Sequence, residues 1–396
     1  MDRLSLAQRV GRIRPSPTLA VTARAAELRA AGKDIIGLGA GEPDFDTPDH
    51  IKAAAILAIQ QGQTKYTAVD GTPALKRAII DKFQRENGLA YAPDQILVSC
   101  GGKQSFFNLA QALLDSGDEV IIPAPYWVSY PDMVLLADGQ PVTVYAGIEQ
   151  NFKITPEQLA GAITDRTRLF VINSPSNPTG VAYSRPELEA LGEVLRAHPH
   201  ILIATDDMYE HIRWSDEAFV NIVNACPDLY PRSIVLNGVS KAYAMTGWRI
   251  GYAGGPAELI KAMKKIQSQS TSNPASISQA AAQAALAGDQ ACVRQMRDAF
   301  KERHDVVVEA LNRLPGVRCL SGDGTFYCLP DFQDVIAARP DISTDVELAE
   351  KLLSDAGVAL VPGSAFGAPG YLRLSFATST EILADALSRL NGFLSI

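Results

Sequence analysis

Six short apolar runs constrain this chain more than any other feature. They are ILVSC (96–100), EVIIPAP (119–125), RLFVIN (168–173), ILIATDD (201–207), SIVLNG (233–238) and RIGYAGG (249–255). Between them lie amphipathic segments such as KQSFFNLAQALLD (103–115) and RPELEALGEVLRAH (185–198). Runs of strand length that are apolar on both faces cannot leave either face in water. Interleaved with helical segments, they require a largely parallel sheet covered by helices on both sides, an α/β fold. Ligands in such sheets collect beyond the carboxyl ends of the strands.

A chain of 396 residues is too long for one small core. After residue 290 the pattern changes. A charged helical stretch (about 291–313) leads to VRCLSGDGTFYCLP, a second helix (345–356), VALVPGSAF, YLRLSFA and a final helix, which together predict a smaller α+β unit. The first 45 residues show no strand alternation of their own and are expected to pack against it. The predicted division is a large unit over 47–300 and a small one from 1–46 and 301–396.

Composition narrows the partners. The net charge is −8 and no block of Lys or Arg forms a basic face, which argues against nucleic acid and anionic membrane. A small anion needs only a local pocket and stays open. The five cysteines form no CxxC pair, no apolar leader opens the chain and no run of about 18 apolar residues occurs, so a reduced, cytoplasmic protein is expected.

One motif is a decoy. DIIGLGAGEPDF (34–45) places glycines at 37, 39 and 41 after an apolar run, but a dinucleotide fingerprint must open a helix directly. Here the next helix is expected only after Thr47 and Pro48, read as its N-cap and first-turn proline.

Four strand ends carry chemistry. ILVSC is followed by Gly101, Gly102 and Lys103 at a helix start, where free amides and the helix dipole can hold a phosphate; glycine pairs often do no more than turn a corner. RLFVIN is followed by SPSNPTG, either a plain turn or a rigid loop presenting Asn177. ILIAT runs into Asp206, Asp207 and Tyr209. A carboxylate ending a buried strand needs a positive or proton-donating partner, or else it caps a helix. A metal pair there would need ligands that the five scattered histidines do not supply. SIVLNG leads to Ser240, Lys241 and Arg249, where the plain reading is a solvated surface lysine.

One small molecule would use all of these groups. Pyridoxal phosphate needs an amine to bond its aldehyde carbon, an anion for its ring nitrogen, donors for its phenolic oxygen and a phosphate cradle. Lys241, Asp206, Asn177 with Tyr209, and Gly101–Gly102 with Ser240 and Arg249 match those needs. No metal is called for.

The strings GEPDFDTP (41–48), KYT (65–67), PYW (125–127), NPTG (177–180), DDMYEH (206–211), SKAYAMTGWRIGY (240–252) and YLRLSFA (371–377) resemble a fold-type I, class I aminotransferase of the bacterial aspartate aminotransferase branch. The resemblance covers nearly the whole chain. It implies a mostly parallel seven-stranded sheet in the large unit, Trp127 over the cofactor ring, and Arg373 on the substrate α-carboxylate with Gly41 beside it. It also implies Tyr66 on the phosphate of the neighbouring subunit's cofactor, hence a homodimer with shared sites, and a cis Asn177–Pro178 bond. Some aspartate aminotransferases bind the substrate's second carboxylate with an arginine from the partner subunit, whereas QSQSTSNP (267–274) has none. In this branch the lysine of GGKQ serves instead, here Lys103, helped by hydroxyls that would be Ser16 and Thr18. Arg14 stands where relatives acting on prephenate often have lysine. The expected reaction moves an amino group between an acidic amino acid such as aspartate and 2-oxoglutarate, with prephenate as a further substrate. The cofactor residues alone do not separate this from a β-lyase or an aromatic aminotransferase. A ligand-sensing regulator on the same scaffold would want an extra DNA-binding helix pair, for which residues 1–30 leave no room.

Overall fold

A computed structural model describes residues 4–395. Twelve strands are present among these residues. They are β1 (Ile36–Gly37), β2 (Ile96–Ser99), β3 (Glu119–Ala124), β4 (Gln140–Tyr145), β5 (Thr167–Asn173), β6 (Leu202–Asp206), β7 (Ser233–Gly238), β8 (Gly251–Gly254), β9 (Tyr327–Cys328), β10 (Val358–Ala359), β11 (Val361–Pro362) and β12 (Leu372–Ser375). Seven form the central sheet, in the order β2-β8-β7-β6-β5-β3-β4. Pairing from β7 through β4 is parallel, and only β8 runs against its neighbours.

Alternate residues of each strand serve two different cores. Val98, Ile121, Phe170, Ile172, Ile203 and Val235 point into one apolar cluster, while Leu97, Val120, Leu169, Val171, Ala204 and Ile234 point into another. This is the burial on both faces that continuous apolar runs require. β4 had no such run to announce it. It is an edge strand with alternating exposure, and Pro141 is tolerated there because an edge leaves backbone groups unpaired.

A third cluster gathers Phe300, Val307 and Leu311 of the helix Ala291–Leu311 with Phe326, Phe332, Leu374 and Leu390. β11, β12 and β9 form its antiparallel sheet. β1, which the sequence pattern did not announce, pairs in parallel with β10 and so fastens the N-terminal segment to this part of the chain. Tyr209 and Ile212, just past the end of β6, also belong to this cluster and join the two parts.

Thr47 does not cap the following helix as expected. That helix spans Asp49–Gln60, and the Thr47 hydroxyl instead donates to the Ala244 carbonyl at 2.6 Å and accepts from Trp248 Nε1 at 2.9 Å. Tertiary bonds to the loop after Lys241 have taken the hydroxyl. Among the described residues the cis peptide bonds are Ala124–Pro125 and Ser174–Pro175; Asn177–Pro178, expected to be cis, is not one of them. No helix among the described residues is long and apolar enough to cross a membrane.

Candidate active site

A cavity of about 420 Å³ opens beyond the carboxyl ends of β5, β6 and β7. Of the residues selected from sequence, Gly41, Gly102, Lys103, Trp127, Asn177, Asp206, Tyr209, Ser240, Lys241, Arg249, Arg373, Ser16 and Thr18 line it. Gly101, Tyr66 and Arg14 do not. Gly101 stands immediately behind the wall, Tyr66 is 92% exposed, and exposed Arg14 is held by its backbone N–H to Asp132.

Lys241 follows β7 and donates a hydrogen bond to the Gly41 carbonyl oxygen. Burial pushes its ammonium down to about 8, the Arg373 and Arg249 guanidiniums push the same way, and Glu42 and Asp206 oppose them. A lysine so placed is neutral often enough near neutral pH to act as nucleophile or base.

Asp206 ends β6. Its Oδ2 accepts a 2.5 Å hydrogen bond from the Tyr130 hydroxyl, and its Oδ1 accepts from the Met208 N–H at 3.3 Å. Burial raises its pKa, while Tyr130, the Met208 amide and Lys241 act in the opposite direction. Asp207 turns away from the cavity. Its oxygens accept from Thr205 Oγ1 and Asn221 Nδ2, both at 2.6 Å, inside the core.

The far wall is cationic. Arg373, 2% exposed, donates from NH1 to Asn177 Oδ1 at 2.9 Å and from NH2 to the Gly39 carbonyl at 2.7 Å. Its Nε has no partner, and no carboxylate among the described residues pairs with it. The guanidinium carbon lies 4.4 Å from the centre of the Tyr327 ring. Burying an uncompensated guanidinium is costly, so this geometry calls for an anionic ligand.

Where the helix Gly102–Leu113 begins, Gly101 and Arg249 are in close approach. A Cβ on Gly101, whose φ is +85°, would lie 2.3 Å from Arg249 NH2, and one on Gly251 would lie 2.3 Å from the Gly102 nitrogen. Only glycine leaves the first amides of this helix open beside a guanidinium, an arrangement suited to a phosphate. Trp127 stands edge-on to Tyr130 with ring centres 5.1 Å apart, and Lys103 Nζ lies 5.4 Å from the centre of a Trp127 ring. Partial burial, and then Arg249, lower the Lys103 pKa. Lys241, Asp206, the helix start at Gly102 with Arg249, and Trp127 therefore meet around one cavity, a set of groups that could hold pyridoxal phosphate.

Sequence reasoning missed Tyr130 and Tyr327. The Tyr209 hydroxyl donates to that of Tyr327 at 3.2 Å, and a Cβ on Gly41 would come within 2.9 Å of the Tyr327 hydroxyl. Neither tyrosine sits in a motif. Elsewhere, Glu86, Glu210 and His211 place ligand-type atoms within 4.8 Å of one another. The ammonium of Lys82, bonded to Glu210 and 3.7 Å from Glu86, already supplies the cation there.

This arrangement is that of an aminotransferase, and comparison with known proteins agrees. Residues 33–390 match the family described as aminotransferase class I and II, and the chain belongs to that family. It is 62% identical over 397 residues to an aspartate/prephenate aminotransferase of Nitrosomonas europaea, covering 99% of this chain and 100% of that one. Among solved structures it is similar to the aspartate aminotransferase of Rhizobium meliloti, with a TM-score of 0.95, 50% identity and 99% of each chain covered. It is also similar to the aspartate aminotransferase of Thermus thermophilus with maleate, with a TM-score of 0.93, 46% identity, and 99% of this chain and 100% of that one covered.

Proposed function

We propose that this aminotransferase works with pyridoxal phosphate on dicarboxylic amino acids, aspartate first, with 2-oxoglutarate as acceptor and prephenate as a bulkier substrate. The observation that carries this reading is the buried Arg373 with an unpartnered Nε, lining the same cavity as Lys241, whose ammonium burial pushes down to about 8. One group asks for a carboxylate and the other for a carbon to bond and a proton to move.

Lys241 holds the cofactor, Asp206 faces its ring nitrogen, and Asn177 and Tyr209 face its phenolic oxygen. Gly101, Gly102, Ser240 and Arg249 receive the phosphate. When bound, the cofactor supplies an aldehyde carbon and a protonated ring that accepts the electron pair left by a departing α-proton. Arg373 fixes the substrate α-carboxylate and so aims its Cα–H at Lys241 Nζ. Released from the cofactor, the neutral Lys241 amine would take that proton as base and return it as acid. Asp206, whose charged form the Tyr130 hydroxyl favours against the effect of burial, would hold the ring proton in place. Trp127 closes one face against water.

Lys103, with Ser16 and Thr18 on the same wall, reads the distal carboxylate. It has no carboxylate partner among the described residues and stands at a helix N-terminus, where a cation is disfavoured unless an anion is near. A lysine resting on Trp127 can move aside more readily than a fixed arginine fork, which is how a ring-bearing acid such as prephenate would fit, with Arg14 as a further cation for it. Tyr66 serves the neighbouring subunit's phosphate in a cytoplasmic homodimer. A large unit over 47–300 and a small one from 1–46 and 301–396 follow the main division of the apolar clusters, with Tyr209, Ile212, Met296 and Phe300 crossing into the smaller unit's cluster.

The test is an amino-transfer assay with 2-oxoglutarate against aspartate, aromatic amino acids and neutral aliphatics, and with prephenate as acceptor from glutamate. Aspartate is expected to give the highest kcat/KM. A preference for neutral amino acids, or elimination without amino transfer, would overturn the proposal.

A further inference from the structure

The loop that carries Tyr66 is held at its base and free at its tip. Residues 61–72 contain no regular element, and at Gly71, with φ +105°, a Cβ would lie 2.5 Å from Val98 Cγ2, so the loop rests directly on β2. Two glutamines with no exposed surface hold it there. Gln279 accepts from the Thr72 N–H at 2.8 Å and donates to Thr67 Oγ1 at 3.0 Å and to the Pro274 carbonyl at 2.9 Å. Gln267 donates to the carbonyls of Val69 and Val98 at 2.7 and 2.8 Å, and its Oε1 accepts from Asn108 Nδ2 at 2.9 Å. Asp70 is further fixed by Lys76 at 2.7 Å and Lys264 at 2.9 Å. On the other side the Ser276 hydroxyl donates to the Gln63 carbonyl at 2.6 Å, and Tyr66, between Gln63 and Thr67, makes no side-chain hydrogen bond among the described residues and is 92% exposed.

Ordering a loop costs conformational entropy at every residue, and a tip that touches nothing returns none of it. Buried amides spent on the base of such a loop make sense where the tip must already be in place when something arrives. Gln267 also ties the loop to β2, whose end leads into the chain's own phosphate cradle, and Gln279 ties it to Pro274 in the neighbouring 267–274 stretch. We infer that Gln279 and Gln267 are positioning residues that pre-order the 63–72 loop so that the Tyr66 hydroxyl meets a phosphate outside its own chain. This rests on the reading above, in which Tyr66 serves the neighbouring subunit's cofactor.

The test measures the affinity of the full-length apoprotein for pyridoxal 5′-phosphate and for pyridoxal, which lacks the phosphate. Tyr66→Phe, Gln279→Met and the double variant are compared with the parent, and melting temperatures are recorded alongside. Tyr66→Phe should weaken pyridoxal phosphate about tenfold, the size of one charged hydrogen bond, and leave pyridoxal within about twofold. Gln279→Met should produce a loss of the same kind, and in the double variant it should add less than about twofold to that of Tyr66→Phe, because both act on one contact. If Gln279→Met does not fold, Thr67→Val removes the loop end of one bond and should give a smaller loss, again confined to the phosphate-bearing molecule. Equal weakening of pyridoxal and its phosphate, or full additivity with Tyr66→Phe, would reduce Gln279 to a stabilising residue and overturn the inference. A silent Gln279→Met or Thr67→Val beside a damaging Tyr66→Phe would overturn the inference alone. A silent Tyr66→Phe would overturn the reading of Tyr66 itself, and the inference with it.

Discussion

The Tyr130 hydroxyl donates a 2.5 Å hydrogen bond to Asp206 Oδ2, joining the helix Ser129–Leu136 to the end of β6. The carboxylate lies where burial favours its neutral form, and this is the shorter of the two hydrogen bonds that oppose the shift. Removing the donor must push the Asp206 pKa further up. Tyr130→Phe should therefore lower kcat about tenfold, the cost of one charged hydrogen bond, and move the acid limb of the pH–kcat/KM profile to higher pH. An acid limb that stays in place would show that Tyr130 only packs.

Asp206 and Asp207 are adjacent and opposed. Asp206 opens to the cavity, while Asp207 accepts two bonds in the core, where burial and the charge of Glu210 raise its carboxyl to about 7. Asp206→Asn should reduce kcat by at least about a hundredfold, since the ring proton loses its counter-charge. Asp207→Asn should spare turnover. It keeps kcat within a few-fold and lowers the melting temperature, because an amide nitrogen would face the Thr205 or Asn221 donor. Steady-state kinetics beside thermal unfolding decide between them.

The lowered pKa of Lys241 gives a pH dependence with a definite sign. Below about 8 the amine is mostly protonated and cannot attack a carbonyl carbon; above it the neutral form dominates. The rate at which apoprotein captures pyridoxal phosphate should rise with pH and level off just above 8. An ordinary lysine would keep gaining to roughly 10.4. Stopped-flow absorbance across pH 6 to 10.5 reads the plateau.

Much of this was legible in one dimension because the chemistry sits where apolar runs stop. Lys241, Asp206 and Asn177 each fall within a few residues of a strand end, and a parallel sheet brings those ends to one side. What stayed hidden is set by packing across long separations. Tyr130 meets Asp206 from 76 positions away, Tyr327 reaches the cavity from a two-residue strand, and Thr47 gives up its cap to bond near Lys241. β4 escaped because an edge strand carries no continuous apolar run. Gln267 and Gln279 read as ordinary polar helix residues until their buried partners are seen.

Lys103 separates acidic from neutral substrates if it reads the distal carboxylate. Lys103→Ala should raise KM for aspartate and glutamate by about 10- to 100-fold, a charged hydrogen bond of about 1.5–3 kcal/mol, and leave phenylalanine nearly unchanged. Steady-state kinetics on the three amino acids measure this. Equal losses on all three would place Lys103 in the cofactor's field rather than the side-chain pocket.

The central claim is that Lys241 carries the cofactor, and chemistry can read it directly. The protein loaded with pyridoxal phosphate is treated with borohydride, digested and mapped by mass spectrometry. The pyridoxyl group is expected on Lys241, and Lys241→Ala should show none. A label on Lys103, or no covalent label on the loaded protein, would contradict the account.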